Sequence, residues 1–469
     1  MNWAKSEGAK PLEVYNLSVD EETGVRGVYT RQTLEADTII CEVPRKLALE
    51  VTTAKSRCPI KHIDQAFWDK CDWWAKLGLK LLVEIQKGES SPLTNYIKAL
   101  PTAIPTPLHF SEEQLEMLQY EPLVQDVAEQ KTLWYSLYDQ YCKACEDPAL
   151  VAPRDLFIHA IECVRSRTFS GPYEGSNWET RVKQYGLVLV MAVLYVVGGF
   201  GEAYQAFNGC LGVFFFILFR DLLVQRNPRS IRYVLCPVLD MFNHSNDVKS
   251  EASYEYFRNT FTLSLDKTVE ANKEVCISYG KRGNDELMQY YGFVVPDNKA
   301  DSYTMCNFVE KATSVMRSSS TFSISEDNLT KRVDMLRLND MVEDNKVVIR
   351  PKVRGLTDRC LQTLRILVAS DEEMKGKTGL LDFNSQISKA NEAKGYELMC
   401  EVCDYELQEI LPTSVDEDQA ILNNLLKANK TFLDQELNEV GVKIQCLQFR
   451  QAKKEVLKTF LLKNKVQTA

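Results

Sequence analysis

The run Asp240-Met241-Phe242-Asn243-His244-Ser245 constrains this chain more than any other feature. About thirty residues later it is followed by Ile277-Ser278-Tyr279-Gly280, and then by Tyr291-Gly292-Phe293. Between the first two segments, residues 254–257 and 261–265 alternate apolar and polar side chains at period two, as half-buried strands do. The chain then turns through 270–274 into a third β-branched stretch, 275–279. An Asn-His pair and a tyrosine thus bracket a β-rich stretch, and the tyrosine sits at a strand end directly before a glycine. A ring in that position can project from a turn into a site. With 20 tyrosines in the chain, an ordinary strand-end tyrosine is the reading that spacing alone favours.

The flanking segments fit the same scheme. Residues 25–51 alternate with β-branched enrichment, and Gly24-Val25-Arg26-Gly27-Val28-Tyr29 leads into the run from Asp37 to Pro44. Helical periodicity with aromatic faces marks 62–87 and 111–145, and Pro92, Pro101, Pro105 and Pro107 break the chain between them. Arg165-Ser166-Arg167-Thr168-Phe169 follows, and beyond residue 301 helical pattern dominates, including 356–368 and 438–465. In this order the segments resemble the SET-domain methyltransferases. Ser166-Arg167-Thr168-Phe169 resembles the Ser-Arg-x-Phe element of the subgroup that contains the Rubisco large-subunit methyltransferases. The resemblance implies an α+β fold, with small β-sheets around a threaded loop, a helical insertion, and an all-α C-terminal domain. The expected division is a SET domain over 1–300, with inserted helices at about 55–240, and a helical substrate-binding domain over 301–469.

Composition narrows the function from another side. A chain of 469 residues is long for one core and suggests two or three domains. The net charge of −9 and the lack of a long basic stripe disfavour a nucleic-acid partner. Fourteen cysteines at uneven spacing read as reduced, buried thiols. Cys142/Cys145 and Cys400/Cys403 have zinc-like spacing but read better as thiols one helical turn apart. Only Cys306 follows Tyr291-Gly292-Phe293 closely, so no metal site is expected. Residues 1–5 look like the start of the first helix rather than a presequence, and the expected location is cytoplasmic or nuclear, or a plastid if a targeting segment precedes the chain. Residues 187–197 and 211–219 are almost wholly apolar. Each run is too short for a membrane span, which needs roughly 20 apolar residues, so buried helices are expected. Membrane association, or a stretch foreign to the native coding sequence, is the alternative.

The resemblance also assigns roles. Tyr279 is implied as the catalytic residue, with its hydroxyl beside the transferring methyl. Arg26, Gly27, Arg167, Asp240, Asn243, His244, Tyr279 and Phe293 are implied as contacts of S-adenosyl-L-methionine, and Tyr254 and Tyr291 as walls of a substrate channel. His244 reads as a loop anchor rather than a general base, and His62, His109 and His159 have no nucleophile context. No G-x-G-x-x-G fingerprint follows a strand, which disfavours a dinucleotide-type fold. The implied activity is protein-lysine N-methylation of a non-histone protein by a monomer. Transfer to a histidine side chain and a catalytically silent peptide-binding module are the alternatives.

Overall fold

The computed structural model describes the chain except for residues 1, 11–13, 20–25, 54, 172, 174–177, 227–230, 256–257, 323, 340, 343–345, 351–355, 378, 429–438 and 469. Gly24, Val25, Tyr256 and Phe257 of the expected strands lie outside the described residues. The chain divides into two compact units, residues 1–104 with 133–279 and residues 105–132 with 280–469.

Among the described residues ten short strands lie in the first unit: β1 (Tyr15–Val19), β2 (Arg26–Thr30), β3 (Ile39–Pro44), β4 (Leu49–Thr52), β5 (Thr168–Gly171), β6 (Arg232–Leu235), β7 (Asn243–His244), β8 (Ala252–Glu255), β9 (Thr260–Ser264) and β10 (Cys276–Ile277). They form four small sheets: β1–β2, β3–β9–β8, β4–β6–β5 and β10–β7. All pairs are antiparallel except β7 with β10, where Asn243 lies beside Cys276 and His244 beside Ile277. The alternation read in the sequence has a simple cause. Val28, Ile40, Val43, Val234, Phe242, Phe261, Leu263, Val275 and Ile277 point inward into one shared core.

Helices Trp73–Gln86 and Arg154–Arg167 pack together in the same unit. A Cβ at Gly78 would come within 3.0 Å of Ile161 Cγ1 and 3.6 Å of its Cα, so this glycine sets the approach of the two helices. The second helix delivers Arg167 at its C-terminal end, directly before β5.

The second unit is helical, with one added antiparallel pair, β11 (Tyr303–Met305) with β12 (Val347–Ile349). Leu118, Tyr120, Leu123, Val127 and Met288 are buried in one core with Tyr303, Phe308 and Phe449. Residues 105–132 and 280–300 therefore fall with this unit, although the sequence places them with the first. Lys453 is buried there, bonded to Asp285 at 2.6 Å, Asp301 at 2.7 Å and the Ser302 carbonyl at 2.8 Å. Cys400 and Cys403 stand one turn apart and buried in helix Lys389–Tyr405. Cys142 lies near the end of helix Glu121–Ala144, with Cys145 just after it.

The apolar segments at 187–197 and 211–219 do not form buried helices. They lie in helices Trp178–Val197 and Ala203–Arg226, which pack on each other, with Tyr185 and Phe214 ring centroids 5.7 Å apart. Leu187, Leu189, Met191, Phe207, Phe216 and Phe219 are exposed, and Val197 is 79% and Phe200 77% exposed. Two helices that are apolar all round can bury against each other only the faces they share. The sheet that carries both ends of the insertion, β4–β6–β5, meets helix Trp73–Gln86 instead, where Trp73 stacks on Tyr233 at 4.0 Å. Among the described residues no helix is long and apolar enough to cross a membrane.

β5 and β6 pair from Thr168↔Leu235 to Gly171↔Arg232, and this register uses nothing from the helical hairpin. A chain lacking residues 182–225 is therefore expected to fold. Its thermal midpoint should stay within about 5 °C of the full chain, and its self-association by light scattering should fall as apolar surface is lost. A truncated chain that no longer unfolds cooperatively would show that the hairpin supplies core.

Candidate active site

The short parallel pair β7–β10 brings the Asn-His dipeptide beside the strand that ends two residues before Tyr279. The Tyr279 peptide N–H donates to His244 Nδ1 at 3.1 Å, and His244 Nε2 lies 2.9 Å from Asn246 Oδ1. A peptide nitrogen can only donate, so Nδ1 is unprotonated and Nε2 carries the hydrogen, given to Asn246. The Ile277 carbonyl, 3.3 Å from Nδ1, receives the Ser245 N–H at 3.0 Å. Both ring nitrogens of His244 are thus engaged within the protein. His244 is an anchor of the Tyr279 backbone, and its ring stacks on the Tyr279 ring with centroids 5.1 Å apart.

The Tyr279 hydroxyl donates to the Phe242 carbonyl at 2.9 Å. Its proton is thereby committed to the backbone just before Asn243. Gly280 follows in the left-handed region with φ 88°, which lets the chain turn away immediately after the ring.

Asn243 Nδ2 donates to the Arg26 carbonyl at 2.9 Å and to Glu274 Oε1 at 2.7 Å. These bonds join β7 to β2 and to the residue before Val275, whose N–H in turn bonds the Val28 carbonyl at 2.8 Å. Gly27 is buried beneath the Glu274 carboxylate, and a Cβ there would lie 2.9 Å from Glu274 Cδ.

A second cluster lies one turn upstream of Asn243. Arg167 Nη1 donates to the Asp240 carbonyl at 2.8 Å and meets Asp240 Oδ2 at 3.4 Å, and the buried Tyr96 hydroxyl donates to the same Oδ2 at 2.7 Å. The Asp240 side chain is fully buried and that of Arg167 only 16% exposed. Burial pushes the Asp240 carboxyl above the usual carboxylate range, with Arg167 and Tyr96 pulling it part-way back. For Arg167 burial acts downward, and Asp240 together with Tyr96, Cys163 and Tyr279 more than offsets it.

Arg26 completes the cluster with Nη2 3.6 Å from Met241 Sδ. Burial, and then the neighbouring charge of Arg167, lower its pKa. Among the described residues Asp240 Oδ1 and Arg167 Nε are buried without a hydrogen-bond partner. Two guanidinium groups thus share one buried carboxylate, a surplus of cationic donors that suits an anionic ligand group.

The structure therefore brings together Arg26, Gly27, Arg167, Asp240, Asn243, His244 and Tyr279. It sets Tyr254 differently. Its hydroxyl is bonded to Asn259 and receives Arg45 Nη1 at 3.3 Å, and its ring lies 5.2 Å from Phe261 across the β8–β9 hairpin. Tyr291 and Phe293 belong to the second unit, with ring centroids 6.1 Å apart. They flank Gly292, the left-handed C-cap of helix Asn284–Tyr291, and Arg282 stands 5.5 Å over the Tyr291 ring. Tyr96, Met241 and Glu274 are the members that sequence reading did not single out. Glu274 ends the turn before the last strand, and only its pairing with Asn243 reveals it.

With this geometry in place, comparison with known proteins is informative. The family profile described as SET domain matches residues 25–280, more than half of the chain. The chain belongs to the SET-domain family. A second profile, described as Rubisco LSMT substrate-binding, matches residues 324–457, which places this SET protein in the Rubisco LSMT-like subgroup. SET domain-containing protein 4 of Artemia parthenogenetica is 25% identical over 63% of this chain and 62% of its own length. The ribosomal lysine N-methyltransferase set10 of Schizosaccharomyces pombe is 22% identical over 57% of this chain and 40% of its own. The actin-histidine N-methyltransferase of Mus musculus is 23% identical over 64% of this chain and 43% of its own length. The chain thus spans less than two thirds of the length of these curated relatives. A solved structure of Rubisco LSMT bound to sinefungin and monomethyllysine superposes with TM-score 0.60 at 18% identity, covering 100% of this chain and 90% of that one. The SET fold and the helical C-terminal region expected from the sequence are those observed.

Replacing Arg167 by Ala leaves the Asp240 charge buried and unpaired, which is expected to destabilise the protein by about 3–5 kcal/mol in chemical denaturation. Adding Asp240→Asn should recover most of that loss. The folded Asp240 carboxyl already holds its proton more tightly than the unfolded chain does, so stability falls as pH rises through that window. Without Arg167 the window extends upward, and the deficit of Arg167→Ala should be larger at about pH 8 than at about pH 5. A deficit that is the same at both would show that Asp240 carries no charge there.

Proposed function

We propose that this protein is an S-adenosylmethionine-dependent protein-lysine N-methyltransferase acting on a non-histone protein. The observation that carries the reading is Tyr279, fixed by the His244 ring through its backbone and by the Phe242 carbonyl through its hydroxyl. It stands in a SET fold beside a buried surplus of guanidinium donors. Membership of the family supports methyl transfer, and relatives named as ribosomal lysine N-methyltransferase and Rubisco LSMT support lysine. A solved structure of Rubisco LSMT bound to AdoMet, 19% identical with TM-score 0.60, supports the cofactor.

When bound, S-adenosylmethionine supplies an electrophilic methyl carried on a sulfonium. Arg167 and Arg26 would hold its carboxylate, and Asn243 and the His244 backbone would hold its polar groups. Gly27 would let the backbone of β2 come close. Asp240 keeps Arg167 in place from behind.

The remaining work falls to Tyr279. A free lysine amine has a pKa near 10.4 and is almost wholly protonated at neutral pH, so the channel must favour the neutral form. Apolar walls around the amine would disfavour the ammonium by desolvation. The Tyr279 oxygen, its own proton given to Phe242, can accept an amine N–H and thereby aim the nitrogen lone pair. Such positioning supplies roughly 7–11 kcal/mol in favourable cases. The second unit, with its Rubisco LSMT substrate-binding match, would present the protein substrate.

The direct test is incubation with isotopically labelled S-adenosylmethionine and a cell extract, followed by mass spectrometry of the labelled residue. Methyl-lysine is the expected product. Methyl-histidine would favour the chemistry of the actin-histidine relative, and no label would sink the proposal. Tyr279→Phe keeps the ring and removes the oriented oxygen, so turnover should fall by about 10²–10³ while cofactor affinity stays within about threefold. Because the contact is made mainly in the transition state, kcat and kcat/KM should fall together. Near-normal turnover would make Tyr279 a packing residue.

A further inference from the structure

The side-chain amide of Asn243 has two ends, and the protein takes up only one. Nδ2 gives one hydrogen to the Arg26 carbonyl and the other to Glu274 Oε1. A carbonyl and a carboxylate oxygen are both acceptors here, so the nitrogen must lie at this end. No donor among the described residues bonds Asn243 Oδ1. Glu274 is itself well placed to enforce this. Its backbone bridges antiparallel to Tyr29, the turn before it is closed by Asn272 at φ 63°, and its carboxylate lies over the bare Cα of Gly27.

We infer that Glu274 is a positioning residue that sets the polarity of Asn243, so that the amide meets its ligand with the carbonyl oxygen. An oxygen at that point selects a hydrogen-bond donor. On the cofactor reading above, on which this inference rests, the group selected is the amino group of S-adenosylmethionine rather than its carboxylate or the adenine acceptors. Without Glu274, among the described residues only the Arg26 carbonyl opposes rotation of the amide, and a turned amide offers N–H instead. Gly27 then has a second duty, because a side chain on it would push the Glu274 carboxylate off Asn243.

The inference is tested by binding rather than turnover. Calorimetry would compare S-adenosylhomocysteine with its deamino analogue, in which the amino group is replaced by hydrogen, on the wild-type chain and on the Glu274→Ala and Glu274→Gln variants. The wild type should bind the deamino ligand about ten- to a hundredfold more weakly, the range of one hydrogen bond to a charged group. Glu274→Ala should shrink that ratio to within about threefold, the signature of coupling between the residue and the ligand group. Glu274→Gln keeps an acceptor oxygen at the same reach and should keep the ratio. An unchanged ratio in Glu274→Ala, with both ligands weakened alike, would overturn the positioning role and leave a structural one. Equal binding of the two ligands by the wild type would overturn it without any variant having to fold. A wild type that binds neither ligand would overturn the cofactor reading, and the positioning role with it.

Discussion

The peptide N–H of Tyr279 donating into the His244 ring is the contact on which the rest of the site depends. It fixes the histidine tautomer, which fixes the bond to Asn246, and it holds the tyrosine backbone against the Asn-His strand. The Tyr279 hydroxyl then reaches back to the Phe242 carbonyl, so the residue is tied at both ends to the same three-residue stretch, Phe242 to His244. Two residues of parallel pairing are a weak ladder in isolation. Here they are braced by a buried core on one side and by Asn243 crossing to β2 and Glu274 on the other. A ring held this way loses little freedom when a ligand arrives, which is the physical content of preorganisation.

The charged cluster beside it follows a different logic. A buried ion pair is costly to assemble and costlier to break, so Arg167 and Asp240 contribute definition more than stability. Tyr96 shares the load by donating to the carboxylate. The effect is to hold a guanidinium rigidly where a mobile surface arginine would wander. The second unit repeats the device for packing alone. Lys453 is closed off by Asp285, Asp301 and the Ser302 carbonyl, and Lys454 by Asp418 and Thr413. Both kinds of network leave buried atoms without a partner among the described residues: Asp240 Oδ1 and Arg167 Nε in the first, Asp285 Oδ1 beside Lys453 and Arg450 Nε beside Asp418 in the second.

How much of this was legible in the sequence follows from the range of each signal. Period-two alternation placed β2, β3, β4, β8 and β9, because each buries one face in a common core. The Asn-His pair and Tyr279 were found as short motifs, and the structure brings them together. Glu274 was invisible because its role is a pairing across 31 positions with Asn243, and an acid at the end of a charged turn otherwise reads as solvated. Tyr96 was passed over for the same reason, since its partner lies 144 positions away. The compact units divide the chain differently from the expected domains, because proline breaks mark where elements end, not which core they join. Leu118, Tyr120 and Leu123 lie soon after such breaks and pack with residues beyond 300. The burial expected for 187–219 failed because apolarity shows that a segment resists water, not that a fold has room for it.

That last failure bears on how the site tolerates the insertion. Arg167 lies directly before β5, and Asp240 lies a few residues after β6, so the two halves of the ion pair stand on either side of the inserted helices. A long excursion between them adds little to the cost of closing the loop, because that cost grows only with the logarithm of length. What would break the pair is a change of register, and the register is set by four β5–β6 residue pairs and by β4 on the other edge of the same sheet. Gly78 fixes the approach of the helix beneath, which delivers Arg167 independently of the excursion. The site is thus built from segments whose positions are each fixed by sheet register or helix packing. The loops between those segments are free to vary, because no distance in the Arg167–Asp240 or Asn243–Glu274 pairs is determined by them.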